Sequence, residues 1–165
     1  MKKAISFIIT MAIIGGLVYL IGFKYEVRIY RIDGLSMSPT FKNGELVVSI
    51  KETNYKRKDI IVYNYNGSKV IKRIVALPNE SINIKNDGKV YINDTLLEEN
   101  YVVSKTNKGE QFYPLTIPDN EYFVLGDNRL DSYDSRYIKV NGIKKGDIKG
   151  KIIFSINTFR IFNEE

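Results

Sequence analysis

Ser36 is the residue that first suggests chemistry in this sequence. It lies in the stretch GLSMSPTF, residues 34–41, at the end of a strand-like segment and directly before a Met-Ser-Pro-Thr turn. The chain contains no histidine, so the usual base for a serine hydroxyl is missing. It also contains no cysteine, which excludes thiolate nucleophiles, disulfides and cysteine-ligated zinc. Hydrolytic chemistry must therefore use hydroxyl, carboxylate, lysine or arginine side chains.

A lysine that is held neutral is the alternative base for a serine. A free lysine has a pKa of about 10.4, and burial against apolar groups lowers that pKa. Lys72, in VIKRIVALP at 70–78, is the lysine with the most apolar neighbours in sequence. On a strand it shares a face with Val70 and Ile74, so it can point beneath an apolar surface. The alternative interpretation is an edge-strand lysine that reaches out to water.

The N-terminal segment predicts a membrane anchor. The residues from Ala4 to Phe23 contain no charge, and their number matches the hydrocarbon thickness of a bilayer at helical rise. The alternative is a cleaved signal peptide, but the apolar run is long for one and no Ala-x-Ala-like site follows it. We therefore divide the chain into 1–24, a cytoplasmic tip and transmembrane anchor, and 25–165, a β-rich extracytoplasmic domain.

The body after the anchor predicts strands. Short β-branched or alternating runs occur at 25–32, 46–50, 60–65, 69–77, 82–93, 121–127 and 148–156. Asn86-Asp87-Gly88 predicts the turn of a hairpin within one of these runs. Residues 98–120 are polar and predict either a surface loop or a lid near a site.

The charge pattern disfavours a nucleic-acid partner. The net charge is +6, but the densest basic run is only Lys56-Arg57-Lys58, and Asp59 follows it at once. Attraction to an anionic membrane surface fits this pattern better.

Three sequence boxes resemble those of bacterial type I signal peptidases. GLSMSPT at 34–40 is similar to the Ser-Met-x-Pro-Thr box, IKRIVALP at 71–78 to the Lys-Arg box, and GDNRLDSYDSR at 126–136 to the Gly-Asp-Asn-Arg box. They occur in the family's order, after an anchor in the expected place. The resemblance implies a mainly β fold, a signal-peptidase-like β-barrel or coiled sheet with one N-terminal transmembrane helix, of the compact Gram-positive type.

The resemblance also implies a serine endopeptidase that removes signal peptides at the outer face of the cell membrane, without cofactor or metal. Ser36 would be the nucleophile, its backbone N–H an oxyanion donor, and Lys72 the general base. Ser132 would hydrogen-bond the Lys72 amine and orient it. The partners implied are preprotein signal peptides and the lipid bilayer, with no nucleic acid.

The resemblance also implies two arginine–carboxylate ion pairs. Arg73 would pair with Asp127, and Asp134 with Arg136, to hold the third box against the Lys72 strand. A paired-carboxylate acid–base site is the alternative interpretation, which the interleaved arginines disfavour because they would neutralise the carboxylates.

The sequence departs from the family pattern at Gly34, at residues 79–80, and at Leu130 and Asp131 in the third box. Many relatives have a serine at the position of Gly34, whose hydroxyl joins the oxyanion hole, so here a backbone N–H or water must take that role. The family's Leu-Pro-Gly-Asp becomes residues 77–80, and Asn79 should tolerate the left-handed turn there.

The substrate implied by the resemblance is extended, with small side chains at positions −1 and −3 before the cleaved bond. Strand edges near Ser36 and Lys72 could bind it through main-chain hydrogen bonds. Met37, Ile32 and Ile74 are predicted to line its pockets, with core packing as the alternative for each.

Three other functions are alternatives. One is a non-catalytic or dedicated assembly factor for surface proteins or pili. Another is a Ser–Lys autoprotease of the repressor-cleaving kind, which would carry a DNA-binding N-terminus where this chain has an apolar span. The last is a surface binding module with a chance motif.

Overall fold

The computed structural model describes residues 2–138, 142–158 and 160–162. One helix, α1, spans Lys2–Lys24, and a short 3-10 helix spans Lys145–Asp147. The strands are β1 Arg28–Arg31, β2 Leu46–Ile50, β3 Ile60–Tyr65, β4 Ser68–Ala76, β5 Ser81–Ile84, β6 Val90–Ile92, β7 Thr95–Leu96, β8 Leu115–Thr116, β9 Glu121–Leu125, β10 Ile143–Lys144, β11 Ile148–Ser155 and β12 Arg160–Ile161. The predicted mainly β class is confirmed.

Helix α1 is long and apolar enough to cross a membrane. Over an 18-residue window its mean hydropathy is 2.4, and none of that window is buried against the rest of the protein. Its 23 residues extend over about 34 Å, which matches a hydrocarbon core of about 30 Å. Among the described residues it is the one helix with these properties.

Two antiparallel sheets form the body. The larger sheet has the order β1-β2-β11-β3-β4-β9-β10, with β12 on β11, and the smaller sheet has the order β7-β6-β5-β8. Within the described part of the chain, β1 and β10 lie at opposite ends of the larger sheet and do not pair. The prediction of a coiled sheet is therefore confirmed, and the alternative of a closed barrel is wrong.

The central strand β3 is buried on both faces. Ile60 and Val62 pack into one hydrophobic cluster with Met37, while Ile61 and Tyr63 pack into another on the opposite face. Successive side chains of a strand point to opposite faces, so a strand between two cores must be apolar throughout, as IIVY is. Its neighbour β4 is therefore enclosed as well, and residues 72–76 are all buried.

A third cluster joins the two sheets. Val75 and Ala76 at the end of β4 pack against Ile82 and Ile84 of the smaller sheet. The connection between β4 and β5 contains Asn79, whose φ is +66°. The left-handed backbone expected at this position is thus confirmed.

The close packing of β11 against β2 within the larger sheet should require glycine at position 150. A Cβ atom there would lie 2.7 Å from the backbone oxygen of Ile50, at a point where the pairing with β3 is irregular. We expect Gly150→Ala to lower the free energy of unfolding by about 1–3 kcal/mol, because the neighbour is backbone and cannot move cheaply. Urea unfolding of the detergent-solubilised protein measures this.

Gly146→Ala is the matched control, since a Cβ atom at Gly146 would meet nothing within 4 Å. Equal stability of the two variants would contradict the packing at Gly150.

Candidate active site

Ser36 lies in a tight turn that the buried side chains of Met37 and Phe41 hold in place. Ser38 N donates to Leu35 O at 3.0 Å, and Phe41 N donates to Met37 O at 3.0 Å, so consecutive turns follow the end of β1. Met37 and Phe41 are buried in the core, whereas Ser36 remains partly exposed. The apolar residues on either side of the turn therefore fix the backbone while the serine hydroxyl stays accessible.

Lys72 contacts Ser36 directly. The Lys72 Nζ lies 2.7 Å from Ser36 Oγ and 3.1 Å from Ile71 O, within hydrogen-bond distance of both. Three strands stand between β1 and β4 in the sheet order, so this contact requires the sheet to curl. With a neutral amine, the same short distance allows the serine O–H to donate to the nitrogen lone pair.

Burial lowers the pKa of Lys72 to about 8. Its side chain is 4% exposed, which penalises the ammonium form. Asp134 and Asp127 oppose this effect by raising the pKa, and Arg136 partly cancels them. A substantial fraction of the amine is therefore neutral near physiological pH.

Arg73, Asp127 and Thr40 join the three sequence boxes. Arg73 makes a two-pronged ion pair with Asp127, at 2.8 Å from Nε and 2.6 Å from Nη2. Thr40 Oγ1 donates to the same carboxylate at 2.5 Å. The predicted Arg73–Asp127 pair is present, and Thr40 is a third member that the sequence did not reveal.

The third box holds the Ser36 turn by its backbone. Asn128 N donates to Ser36 O at 3.0 Å, and Asn128 Nδ2 donates to Leu35 O at 3.3 Å. A Cβ atom at Gly126 would lie 2.5 Å from Ser36 O and 2.2 Å from Ser132 Oγ. Gly126 is therefore needed for the close approach of this box to the serine. Sequence reasoning assigned no role to Asn128.

Ser132 contacts a different partner from the one expected. Its Oγ donates to Asp134 Oδ2 at 2.7 Å. Among the described residues, no hydrogen bond joins it to the Lys72 amine. Asp134 also pairs with Arg136, whose Nε lies 2.8 Å from Oδ1, and both side chains are fully buried. The predicted Asp134–Arg136 pair is present, and Ser132 belongs to it.

The three residues predicted to line substrate pockets lie in the core. Met37, Ile32 and Ile74 are 2%, 4% and 0% exposed, respectively. Met37 and Ile32 share one cluster, and Ile74 lies in the cluster on the other side of the sheet. Other side chains cover all three in this structure, and their contact with a substrate stays a prediction. Their burial fits core packing, the alternative interpretation for each.

Gly34 adopts a backbone that suits glycine, with φ at +85°. Its N–H donates to Asn43 Oδ1 at 3.0 Å, so this N–H is not available to an oxyanion. The Ser36 N–H, in contrast, makes no hydrogen bond to any described residue. The Ser36 N–H is therefore the backbone donor that remains available to an oxyanion beside the Ser36 hydroxyl.

The polar segment 98–120 covers the Arg73 side of the site. The Tyr101 ring lies 4.0 Å from the Arg73 guanidinium, in cation–π contact. Tyr101 O–H donates to Glu99 at 2.8 Å, and Glu99 pairs with Arg129 at 2.5 Å. The segment is thus tied to the third box. Neither Tyr101 nor Glu99 stood out in the sequence, because a tyrosine in a polar loop is ordinary.

The fold and the contact define a serine–lysine site at the border of a coiled antiparallel sheet. The family described as signal peptidase, peptidase S26, matches residues 2–157. The chain belongs to this family.

The similar proteins include signal peptidases of Bacillus subtilis. Signal peptidase I S of Bacillus subtilis (strain 168) is 38% identical over 120 residues, which cover 65% of this chain and 65% of that protein. Signal peptidase I U of the same strain is 37% identical over 150 residues, with 82% and 79% covered. This chain thus spans just under two thirds of the length of the first of these relatives.

A solved structure supports the same fold. The crystal structure of a signal peptidase I from Enterococcus faecalis V583 has a TM-score of 0.50 and 34% sequence identity, and the match covers 61% of this chain and 98% of that one.

Replacing the buried lysine should stabilise the fold. The pKa of Lys72 falls from the ordinary 10.5 to about 8, so burial of the charged amine destabilises the fold by about 3 kcal/mol. This destabilisation is present in full below pH 8 and absent above about pH 10.5. We expect Lys72→Met to raise the free energy of unfolding by up to this amount at pH 7, because methionine fills similar space without a charge. The gain should shrink between about pH 8 and pH 10.5. Urea unfolding across this range measures it.

Lys69→Met is the matched control, since Lys69 lies exposed on the same strand. It should change the stability by less than about 0.5 kcal/mol. A Lys72→Met variant less stable than the parent at pH 7 would show that the charged amine is well accommodated.

Proposed function

We propose that this protein is a membrane-anchored serine endopeptidase that removes signal peptides from exported preproteins. Ser36 is the nucleophile and Lys72 is the general base. The observation that carries this proposal is the 2.7 Å contact between Ser36 Oγ and a buried Lys72 amine whose pKa is lowered to about 8. Membership of the signal peptidase family supports the substrate class.

The proposed reaction has two halves. Neutral Lys72 takes the Ser36 hydroxyl proton as Oγ attacks the scissile carbonyl carbon, and the Ser36 N–H donates to the oxyanion that forms. Lys72 then gives its proton to the leaving amine, which leaves an ester on Ser36. A water, deprotonated by the again neutral Lys72, attacks the ester and releases the second product. No other titratable group is needed.

Asp127, Asp134 and Arg136 are proposed to act through position rather than contact with substrate. The ion pairs hold the third box, and Asn128 of that box holds the carbonyl of Ser36. The third box thereby fixes the distance between the Ser36 turn and the Lys72 strand. Ser132 acts in this scheme through Asp134.

An open strand edge supports binding of an extended substrate. Strand β4 pairs with β9 only at Arg73, Ile74 and Ala76, so residues 68–72 have no partner strand on that side among the described residues. The substrate backbone would add along this edge and bring its scissile bond to Ser36. Alternate side chains of an extended segment point the same way, which places the −1 and −3 side chains against one surface.

Exposed apolar side chains support a location at the membrane surface. Tyr25, Val27, Ile29 and Leu35 are 44%, 42%, 61% and 54% exposed, and they lie between the end of α1 and Ser36. With α1 as a single span, these side chains would lie against the lipid head groups. The proposed topology places the β domain on the extracytoplasmic face, where exported preproteins emerge.

Substitution of either residue of the pair should abolish processing of a preprotein. We expect Ser36→Ala and Lys72→Ala to lower kcat/KM by about a thousandfold or more, since the two groups act as a unit. Lys69→Ala, on the same strand but exposed, should keep activity. Cleavage of a purified preprotein by the detergent-solubilised enzyme measures this. Equal, undetectable processing by the parent and both variants would instead favour a non-catalytic assembly factor.

The activity should follow the neutral fraction of Lys72. Because the free base is required, kcat/KM should rise about tenfold per pH unit below the pKa and level off above about pH 8. Lys72→Arg should be inactive throughout, since arginine stays charged. An active Lys72→Arg variant, or a profile that falls as the pH rises from 6 to 8, would refute lysine as the base.

A further inference from the structure

The Arg73–Asp127 ion pair has an aromatic neighbour from the segment after β7. The Arg73 guanidinium donates to both oxygens of Asp127 and, from Nη1, to Lys58 O at 2.9 Å. A guanidinium is planar and its N–H groups point outward in that plane, so its two faces make no hydrogen bonds. The centroid of the Tyr101 ring lies 4.0 Å from the guanidinium carbon. Because acceptors occupy the edges, the ring packs against a face.

Tyr101 is itself held by a closed series of contacts. Its O–H donates to Glu99 Oε1 at 2.8 Å. Glu99 makes a two-pronged pair with Arg129, at 2.5 Å from Nη2 and 3.0 Å from Nη1. Arg129 Nε donates to Gly126 O at 3.0 Å. Gly126 directly precedes Asp127, so the series returns to the ion pair that the ring covers.

Little of this series is accessible to water. The side chains of Asp127 and Arg129 are fully buried, and those of Arg73 and Glu99 are 9% and 10% exposed. Charges in such a setting interact more strongly than charges in water, so a small change in their geometry changes the field that they exert. A ring packed on Arg73 keeps water from one face of the guanidinium and limits its movement away from the carboxylate.

The Asp127 carboxylate acts on the Lys72 amine. The charged groups with the largest effects on the pKa of Lys72 are Asp134, Asp127, Arg136 and Asp131. Asp127 favours the ammonium form, and Arg73 offsets this effect only while the two stay paired. If the guanidinium moved toward water, more of the carboxylate charge would act on the amine.

We propose that Tyr101 is a positioning residue for the peptidase reaction, because its ring keeps Arg73 in the two-pronged pair with Asp127. Lys72 thereby remains available as a base. Among the described residues, no hydrogen bond joins Tyr101 to Ser36 or Lys72, so its effect passes through Arg73. This role rests on the proposed function.

The pH profile of preprotein cleavage by the detergent-solubilised full chain tests this. We expect Tyr101→Leu to raise the midpoint of kcat/KM by about 0.5 pH unit, because the less tightly paired Asp127 favours the ammonium form of Lys72. The loss should be about threefold at pH 7 and disappear near pH 9.5, where the amine is neutral in both proteins. Tyr101→Phe retains the ring and should keep the midpoint of the parent.

Tyr91→Leu is the matched control. Tyr91 also packs against a cation, with Lys85 Nζ 3.8 Å from its ring centroid, but it lies on β6 of the smaller sheet. Its loss should lower the melting temperature about as much as Tyr101→Leu does, without moving the midpoint. An unchanged midpoint in Tyr101→Leu would leave Tyr101 a merely structural role and overturn the proposal. An equal shift in Tyr101→Phe would also overturn it, because the hydroxyl and not the ring would then be responsible.

A direct titration of the Lys72 amine separates this proposal from the proposed function. In protein labelled with ¹³C-lysine, the Cε resonance of Lys72 is assigned by its absence from Lys72→Met and followed by NMR as the pH rises. Its midpoint should be higher in Tyr101→Leu than in the parent and in Tyr91→Leu. The same shift in a parent that cleaves no preprotein would refute the peptidase function and leave the positioning of Arg73 in place. Equal midpoints in all three proteins would overturn the positioning, even if the parent is active.

Discussion

The burial of one amine beside one hydroxyl constrains the whole arrangement. Lys72 can have a lowered pKa only if water is excluded from its surroundings, and no single element does this. Strands β3 and β4 lie between two hydrophobic clusters, and a third cluster closes the end of β4. The curl of the sheet then brings the turn after β1 to the same place. The site is therefore a product of the complete core, which explains why its parts are distant in sequence.

The buried ion pairs beside Lys72 have an electrostatic role in addition to a structural one. Asp127 and Asp134 both raise the pKa of Lys72, which works against a neutral amine. Each carboxylate is paired with an arginine, Asp127 with Arg73 and Asp134 with Arg136, which offsets its field. Buried ion pairs are weak evidence of stability because desolvation consumes most of the attraction. Here they allow the third box to approach the lysine without restoring its charge.

The sequence predicted the features that depend on periodicity and local composition. The alternation in the Lys72 strand and the continuous apolar run of β3 indicated strands correctly, and Asn79 indicated a left-handed turn. Hydrophobic periodicity shows which face of a strand is covered, but it does not show whether that face borders a substrate cleft or the protein core. Ile32, Met37 and Ile74 are predicted to line substrate pockets, and in the structure all three are buried. Tyr101, Asn128 and the Ser132–Asp134 bond depend on contacts between distant segments, for which local patterns carry no signal.

The short distance along the chain between α1 and Ser36 limits where the proposed reaction can occur. Helix α1 ends at Lys24, so twelve positions separate it from the serine, and four of them form β1. Even fully extended, such a segment reaches only about 40 Å, and the turn at 34–36 shortens it further. The sheet also begins close to the end of the helix, because Lys51 N donates to Tyr25 O at 2.9 Å. In the proposed function, the peptidase would reach only bonds close to the membrane surface, and bonds at the end of another apolar segment meet that condition. In the proposed function, the anchor would thus contribute to selectivity, because it would restrict which extended segments can reach the open edge of β4.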